Sequence, residues 1–348
     1  MTDPPAGTQS GSGSAALVDR YDAALFDLDG VVYLGPAPVP GAVEGIARLR
    51  ERGVKLGFIT NNAARRPEGV ADHLRRLGIA AGADDVVTSS QAAAQLLVTQ
   101  FGPGTKVLVV GGEGILTALN EVGLTGVHSA DADPQAVIQG FSFDLTWDQL
   151  NEAAIAIQRG AHWVATNTDS TRPTDRGVVP GNGAAVNAVR MAVDVDPEVA
   201  GKPYRPLFDA TMVRLGSRRP VYVGDRIDTD IAGAAQVGID SLFVLSGAHG
   251  SQELLAAGPG ERPTHLGLNL AALLDPERVV RASADRVVCG AMEAVVTSNA
   301  IVLETTPGNA EQGLDALWAV TQLHWRAVDR SEPRSSAAAM KALGRLGQ

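Results

Sequence analysis

A chain of 348 residues exceeds one average domain, so two or three compact units are expected. Its formal net charge of −10 argues against a nucleic-acid partner, and would repel an anionic ligand unless a cation reversed the field locally. No stretch approaches the roughly 20 uninterrupted apolar residues that a membrane helix needs, and with Cys289 as the single cysteine no intrachain disulfide can form.

Residues 1–18 are expected to be a disordered leader. They are mostly Gly, Ser, Thr, Pro and Ala, with neither the basic start nor the apolar run of a signal peptide, which points to a cytoplasmic protein. The first element is Ala23-Ala24-Leu25-Phe26, an apolar run that stops at Asp27-Leu28-Asp29-Gly30. Residues i and i+2 of an extended segment point to the same side, so the carboxylates of Asp27 and Asp29 can converge. Two such charges coexist if a cation sits between them or if one keeps its proton. Either outcome serves catalysis, one as a nucleophile site and the other as a general acid. An Asp-rich turn closed by Gly30 explains this stretch alone equally well.

Residues 42–52, with apolar positions at Val43, Ile46, Ala47 and Leu49 and a stop at Gly53, read as an amphipathic crossover helix. A strand over 54–60 then ends in Thr60-Asn61-Asn62, and Pro67 opens a helix that stops at Gly78. Alternating strand and helix predicts a parallel sheet with right-handed crossovers. The alternation continues over 85–199 without a carboxylate cluster, as though a second α/β unit were inserted. Within it, Gly111-Gly112-Glu113-Gly114 lacks the third glycine of a dinucleotide-binding turn and reads as a plain strand–turn–helix. Further on, Asn167, Asp169, Arg172 and Asn182 lie on polar or glycine-rich loops.

Lys202 stands between Gly201 and Pro203, and Pro220-Val221-Tyr222-Val223-Gly224 is a second apolar strand running into acids at Asp225, Asp228 and Asp230. Asp228 reads as an ordinary first-turn acid of the helix that follows. Strand ends of a parallel sheet gather at one carboxyl edge, where open α/β folds place their ligands. The six histidines show no metal-ligand spacing, and the flanks of Cys289 mark it as a small buried residue. Beyond Pro276 the pattern changes. Strand candidates over 279–283, 294–296 and 300–304 precede a helix over 311–328, predicting a small auxiliary α+β module.

These four motifs, in this order, resemble the haloacid dehalogenase superfamily of aspartate-nucleophile phosphatases, and within it the p-nitrophenyl phosphatase and phosphoglycolate phosphatase-like branch. The likeness covers roughly residues 20–270. It implies a Rossmann-like doubly wound parallel-sheet core over 19–84 and 200–272, an inserted α/β cap domain over 85–199 and the C-terminal module over 276–348. It makes Asp27 the nucleophile and Asp29 the general acid and base. Thr60, Asn61 and Lys202 would bind phosphate, Arg172 and Asn182 the rest of the substrate. Asp27, Asp29 (through its carbonyl) and Asp225 would hold Mg²⁺, with Asp230 behind them. The expected substrate is a small phosphorylated metabolite, glycerol 3-phosphate or 2-phosphoglycolate first. Neither nucleic acid nor membrane is expected as a partner, and a homodimer through the cap or the C-terminal module is compatible with the pattern. A phosphotransferase of the same superfamily and a phospho-receiver remain the alternatives, the receiver being one that would not need Asp29.

Overall fold

A computed structural model describes residues 15–174, 176–298 and 300–344. Its centre is a six-stranded parallel sheet in the order His265–Gly267, Asp240–Val244, Pro220–Gly224, Ala23–Asp27, Lys55–Thr60, Val86–Thr88. Ala23–Asp27 is buried along its whole length, as a strand covered on both faces by helices must be. The pleat splits its side chains by period two. Ala24 and Phe26 join Phe58, Val223, Ile46, Leu49 and Leu74 on one face. Leu25 joins Ile59, Tyr222, Leu207 and Phe208 on the other. The register sets Phe26 beside both Val223 and Phe58, so the strands carrying Asp27, Thr60 and Asp225 end together.

The inserted unit has its own five-stranded parallel sheet, ordered Glu198–Val199, His162–Ala165, Ala136–Gln139, Lys106–Val110, Thr125–Val127. Helices Trp147–Gln158 and Asn182–Arg190 cover one face around Trp163, Val186 and Leu150. On the other side, Val107, Val109, Ile115 and Leu119 share a cluster with Leu25 and Ile59 of the core sheet. The helix Glu113–Glu121 approaches the loop after Thr60 so closely that a Cβ on Gly114 would lie 2.5 Å from the carbonyl oxygen of Ala63. Gly114 thus serves the close approach of two backbones.

Three boundaries differ from the expected ones. The strand Val86–Thr88, assigned above to the insert, pairs with Lys55–Thr60 and is the edge of the core sheet, because Val86 and Val87 complete its two apolar faces. The expected leader ends sooner than residue 18. Residues 1–14 lie outside the described residues, but Ala16, Leu17 and Val18 are buried in the core cluster, and Leu17 N donates to Asp275 O at 2.8 Å. The C-terminal module is a four-stranded antiparallel sheet, Val280–Ala282, Arg286–Cys289, Met292–Thr297, Ala300–Leu303, with helices Ala310–Asp329 and Ala337–Leu343. Its strand Arg286–Cys289 was not anticipated. The module does not stand apart, since Leu314, Leu317, Trp318 and Trp325 form one apolar cluster with Ile227, Ile231, Phe243 and Leu254 of the core. Cys289 is buried as expected, and burial pushes its thiol up to about 12.

Candidate active site

Asp27 ends its strand at the carboxyl edge of the sheet, and Lys202 meets it from the loop opened by the cis peptide Lys202–Pro203. Lys202 Nζ donates to Asp27 Oδ1 at 2.5 Å, to Asp230 Oδ1 at 2.7 Å and to the Tyr222 hydroxyl at 3.0 Å. The lysine side chain is only 5% exposed, so its charge exists in low dielectric and is held by these partners. Burial opposes the ammonium, but Asp230 and Asp27 outweigh it and keep its pKa well above the ordinary lysine value. Asp230 is fully engaged. Its Oδ1 also accepts from the Tyr222 hydroxyl at 3.0 Å, and its Oδ2 accepts from the backbone N–H of Asp225 and Arg226 at 3.2 and 3.1 Å. It orients the lysine and the Asp225 loop without oxygen to spare.

Asp225 is placed differently. Its Oδ2 accepts from Ala248 N at 2.6 Å, while its buried Oδ1 has no hydrogen-bond partner. Cβ atoms on Gly30 and Gly247 would fall 2.4 and 2.0 Å from Asp225 Oδ2, so both must be glycine for the carboxylate to sit there, and Gly30 also needs its φ of +88°. Oxygens of Asp27, Asp225 and Asp230 lie within 4.8 Å of one another. Burial raises the Asp27 pKa well above the usual carboxylate range; Lys202 opposes this, and Asp230 and Asp225 reinforce it. Burial, then Asp230, pushes Asp225 up to about 7. An orphaned carboxylate oxygen beside a second crowded carboxylate is a donor set that fits a hard divalent cation such as Mg²⁺, whose charge would turn both groups back to the ionised form. The Asp29 carboxyl is not in this cluster. It opens to the crevice, yet enough protein surrounds it that desolvation raises its pKa against the pull of Lys202, Arg65 and His73. Raised proton affinity suits a group that must deliver a proton.

Thr60 is buried at the end of the neighbouring strand, and its Oγ1 accepts from Asn62 N at 3.1 Å. The Asn61 side chain is committed to scaffolding. Its Oδ1 accepts from Lys202 N at 2.8 Å, and its Nδ2 donates to Lys202 O and to Asp169 Oδ2, both at 3.2 Å. What Asn61 can offer an anion is therefore its main chain. Its carbonyl accepts from Asn167 Nδ2 at 2.8 Å, and Asn182 Nδ2 donates to Asn167 O at 2.7 Å, so a line of asparagines ties the insert to the lysine loop.

The structure brings together Asp27, Lys202, Asp225 and Asp230, with Asp29, Thr60 and Asn61 around them. The two expected substrate contacts in the insert have other partners. Asn182 is buried, fixing the start of its helix, and the Arg172 guanidinium lies 4.7 Å over the Phe141 ring and 5.2 Å over that of Phe143. Among the described residues neither makes a hydrogen bond to Asp27, Asp29, Thr60, Asn61, Lys202, Asp225 or Asp230, and the bond of Asn182 goes to the Asn167 carbonyl. Sequence reasoning missed Tyr222 and Ala248. Period two along Pro220–Gly224 puts Tyr222 on the face of Leu25, a signal that could have found it, whereas Ala248 acts through its N–H and leaves no side-chain trace.

Paired aspartates at one strand end, a buried lysine and an unpartnered carboxylate oxygen, on a parallel sheet with an α/β insert, are the features of a phosphohydrolase. The model for haloacid dehalogenase-like hydrolase matches residues 24–125 and that for HAD-hydrolase-like proteins residues 199–273. The chain is 46% identical over 258 residues to the D-glycerol 3-phosphate phosphatase of Mycobacterium tuberculosis, covering 74% of this chain and 72% of that protein. It is 36% identical over 230 residues to an acid sugar phosphatase of Staphylococcus aureus, covering 66% of this chain and 88% of the relative. The crystal structure of the M. tuberculosis glycerol phosphate phosphatase in complex with magnesium superposes with a TM-score of 0.85 at 37% identity, over 96% of this chain and 100% of that one. The chain belongs to the haloacid dehalogenase-like hydrolases, and it is a phosphatase.

Proposed function

We propose that this phosphatase hydrolyses small phosphomonoesters, glycerol 3-phosphate or 2-phosphoglycolate first, through a phosphoryl group carried on Asp27. The observation behind this reading is the Lys202 ammonium 2.5 Å from Asp27 Oδ1, beside the unpartnered Asp225 Oδ1. Asp27, Asp225 and the carbonyl of Asp29 would hold Mg²⁺, which supplies positive charge to the phosphate oxygens. The free oxygen of Asp27 attacks phosphorus as the ester P–O bond breaks, and Asp29 gives its proton to the departing alkoxide. Asp29, now a carboxylate, takes a proton from the water that attacks phosphorus and releases phosphate, restoring Asp27. Thr60 Oγ1 and the main chain at Asn61 orient the phosphoryl oxygens. Lys202 neutralises them, and preorganised charge of this kind is worth roughly 10²–10³ in rate.

The insert, with its sheet from Lys106 to Val199, serves as a roof that keeps water and bulky esters out of the crevice. The M. tuberculosis relative's activity on D-glycerol 3-phosphate supports the substrate choice. A cytoplasmic location, where phosphorylated metabolites are found, belongs to the same reading, and no described helix is long and apolar enough to cross a membrane. So does a homodimer through the cap or the C-terminal module, which sedimentation of the purified chain tests.

The test is phosphate release from glycerol 3-phosphate and p-nitrophenyl phosphate with and without Mg²⁺. Release that needs the metal supports the reading, and phosphate passed quantitatively to an added alcohol would make the protein a phosphotransferase instead.

A further inference from the structure

The insert sends a carboxylate to the edge of the catalytic cluster. Asp169 lies in the loop between His162–Ala165 and Thr171–Thr174, and its backbone is pinned on both sides: its N–H donates to Asn167 Oδ1 at 3.2 Å and its carbonyl accepts from Gly183 N at 2.9 Å. Its Oδ2 accepts from Asn61 Nδ2 at 3.2 Å, and Asn61 in turn holds the backbone of Lys202. Among the described residues Asp169 Oδ1 takes no hydrogen bond, and Asp169 enters no ion pair. The half-buried side chain thus presents an open acceptor oxygen. Its charged neighbours are Lys202, Arg226 and Asp230. Both cations are already engaged, Lys202 by Asp27 and Asp230, and Arg226 by Asp228 at 2.8 Å.

We propose that Asp169 is a specificity-determining residue of the phosphatase, selecting esters whose leaving group is a neutral polyol over those whose leaving group carries a carboxylate or a second phosphate. The proposal rests on the reading of the chain as a small-molecule phosphatase, and it separates the two substrates that reading left together. An ionised carboxylate is an acceptor only, so a hydroxyl can donate to Asp169 Oδ1 while a second carboxylate brings no donor and a like charge. Discrimination through a repulsive group needs no close fit to the preferred substrate. The crevice already holds the acids of the catalytic cluster and must take up a phosphate dianion, and the two cations beside Asp169, Lys202 and Arg226, are already paired with carboxylates. Other cations stand further round the crevice, the exposed Arg65 on the core side by Asp29 and Arg172 of the insert stacked on Phe141. A leaving group that turned toward Arg65 would escape Asp169.

The experiment compares kcat/KM of the full-length chain, with Mg²⁺, on glycerol 3-phosphate and 2-phosphoglycolate, each normalised to p-nitrophenyl phosphate, whose leaving group has neither an aliphatic hydroxyl nor a carboxylate. Asp169→Asn is the informative variant, because its amide oxygen can still accept from Asn61 Nδ2 while the charge is gone; Asp169→Ala controls for loss of that bond. The wild type should prefer glycerol 3-phosphate by about tenfold or more, and Asp169→Asn should shrink the ratio by about tenfold, mainly by raising activity on 2-phosphoglycolate. A wild-type preference for 2-phosphoglycolate, or a ratio unmoved by Asp169→Asn, overturns the proposal. An equal fall on all three esters also overturns it, since that is what a purely structural Asp169 would give. Absence of hydrolysis of every ester, p-nitrophenyl phosphate included, would instead remove the phosphatase reading on which the proposal stands.

Discussion

At the scale of single residues, the site turns on which carboxylate oxygens are spoken for. Asp230 uses both of its oxygens on Lys202, Tyr222 and two backbone N–H groups, so it positions rather than reacts. Asp225 keeps one oxygen open. That difference is invisible in a sequence where both stand within six residues at one strand end, and only the order of the four motifs hinted at it. The same limit applies to Asn182 and Arg172, polar residues on promising loops whose side chains turn inward or onto Phe141. Asp225 also sets a pH dependence. Burial and Asp230 push its carboxyl up to about 7 in the folded chain from the ordinary aspartate value of 3.8, so between those values the native state holds a proton that the unfolded state has released. Its contribution therefore destabilises the metal-free fold as pH rises through this window. Mg²⁺ should relieve that cost, so the rise in thermal midpoint on adding it should be larger at pH 7.5 than at pH 5.5, about half a unit and more above and well below the Asp225 value. Scanning calorimetry at the two pH values checks this, and an equal or reversed increment contradicts it.

At the scale of elements, the helices and strands of the core were legible because each apolar run ends in its own signal. Gly53 and Gly78 terminate helices, Pro67 opens one, and Asp27 and Asp225 close strands. The edge strand Val86–Thr88 was misassigned because three residues carry no information on which sheet will accept them, and Arg286–Cys289 was missed for the same brevity. The contact between elements is likewise a backbone matter. Gly114→Ala sets a methyl 2.5 Å from the Ala63 carbonyl, which must push the insert away from the loop following Thr60. We expect a fall of roughly tenfold or more in kcat/KM, since small misplacements of positioning groups cost up to about 10² in rate. Unchanged kinetics in a folded variant would mean that the insert tolerates displacement. Arg262 makes a similar tie at the other end, pairing with Asp329 at 2.7 and 2.8 Å and lying 5.1 Å over the Trp325 ring. Arg262→Ala should lower the thermal midpoint by a few degrees, because it removes the packing of the stem as well as the charge.

At the scale of the whole molecule, the C-terminal module was expected to be auxiliary, separable from motifs that all precede Asp275. The four motifs do precede it, but the apolar core does not respect that boundary. Ile227 and Ile231, which flank Asp228 and Asp230, lie in the same cluster as Leu317 and Trp318. Removing residues 276–348 would uncover Leu254, Phe243 and Leu266 and their neighbours, so the truncated chain should aggregate or melt well below the intact one, with a thermal shift or light-scattering measurement as the check. A truncated chain that stays monomeric with an unchanged midpoint would contradict the shared core.

All three scales meet at the chemistry of Asp27, and the most direct measurement is chemical. The Asp29→Asn variant is mixed with Mg²⁺ and p-nitrophenyl phosphate, whose phenolate leaves without needing a proton so that only the second step is slowed, then quenched within one turnover, reduced with borohydride and mapped by peptide mass spectrometry. An acyl phosphate on Asp27 is reduced to homoserine, so the account predicts that mark at Asp27 and at no other carboxylate, and its disappearance when Mg²⁺ is withheld. Phosphate released in the first turnover with Asp27 unmodified, or the mark on Asp225, would contradict it.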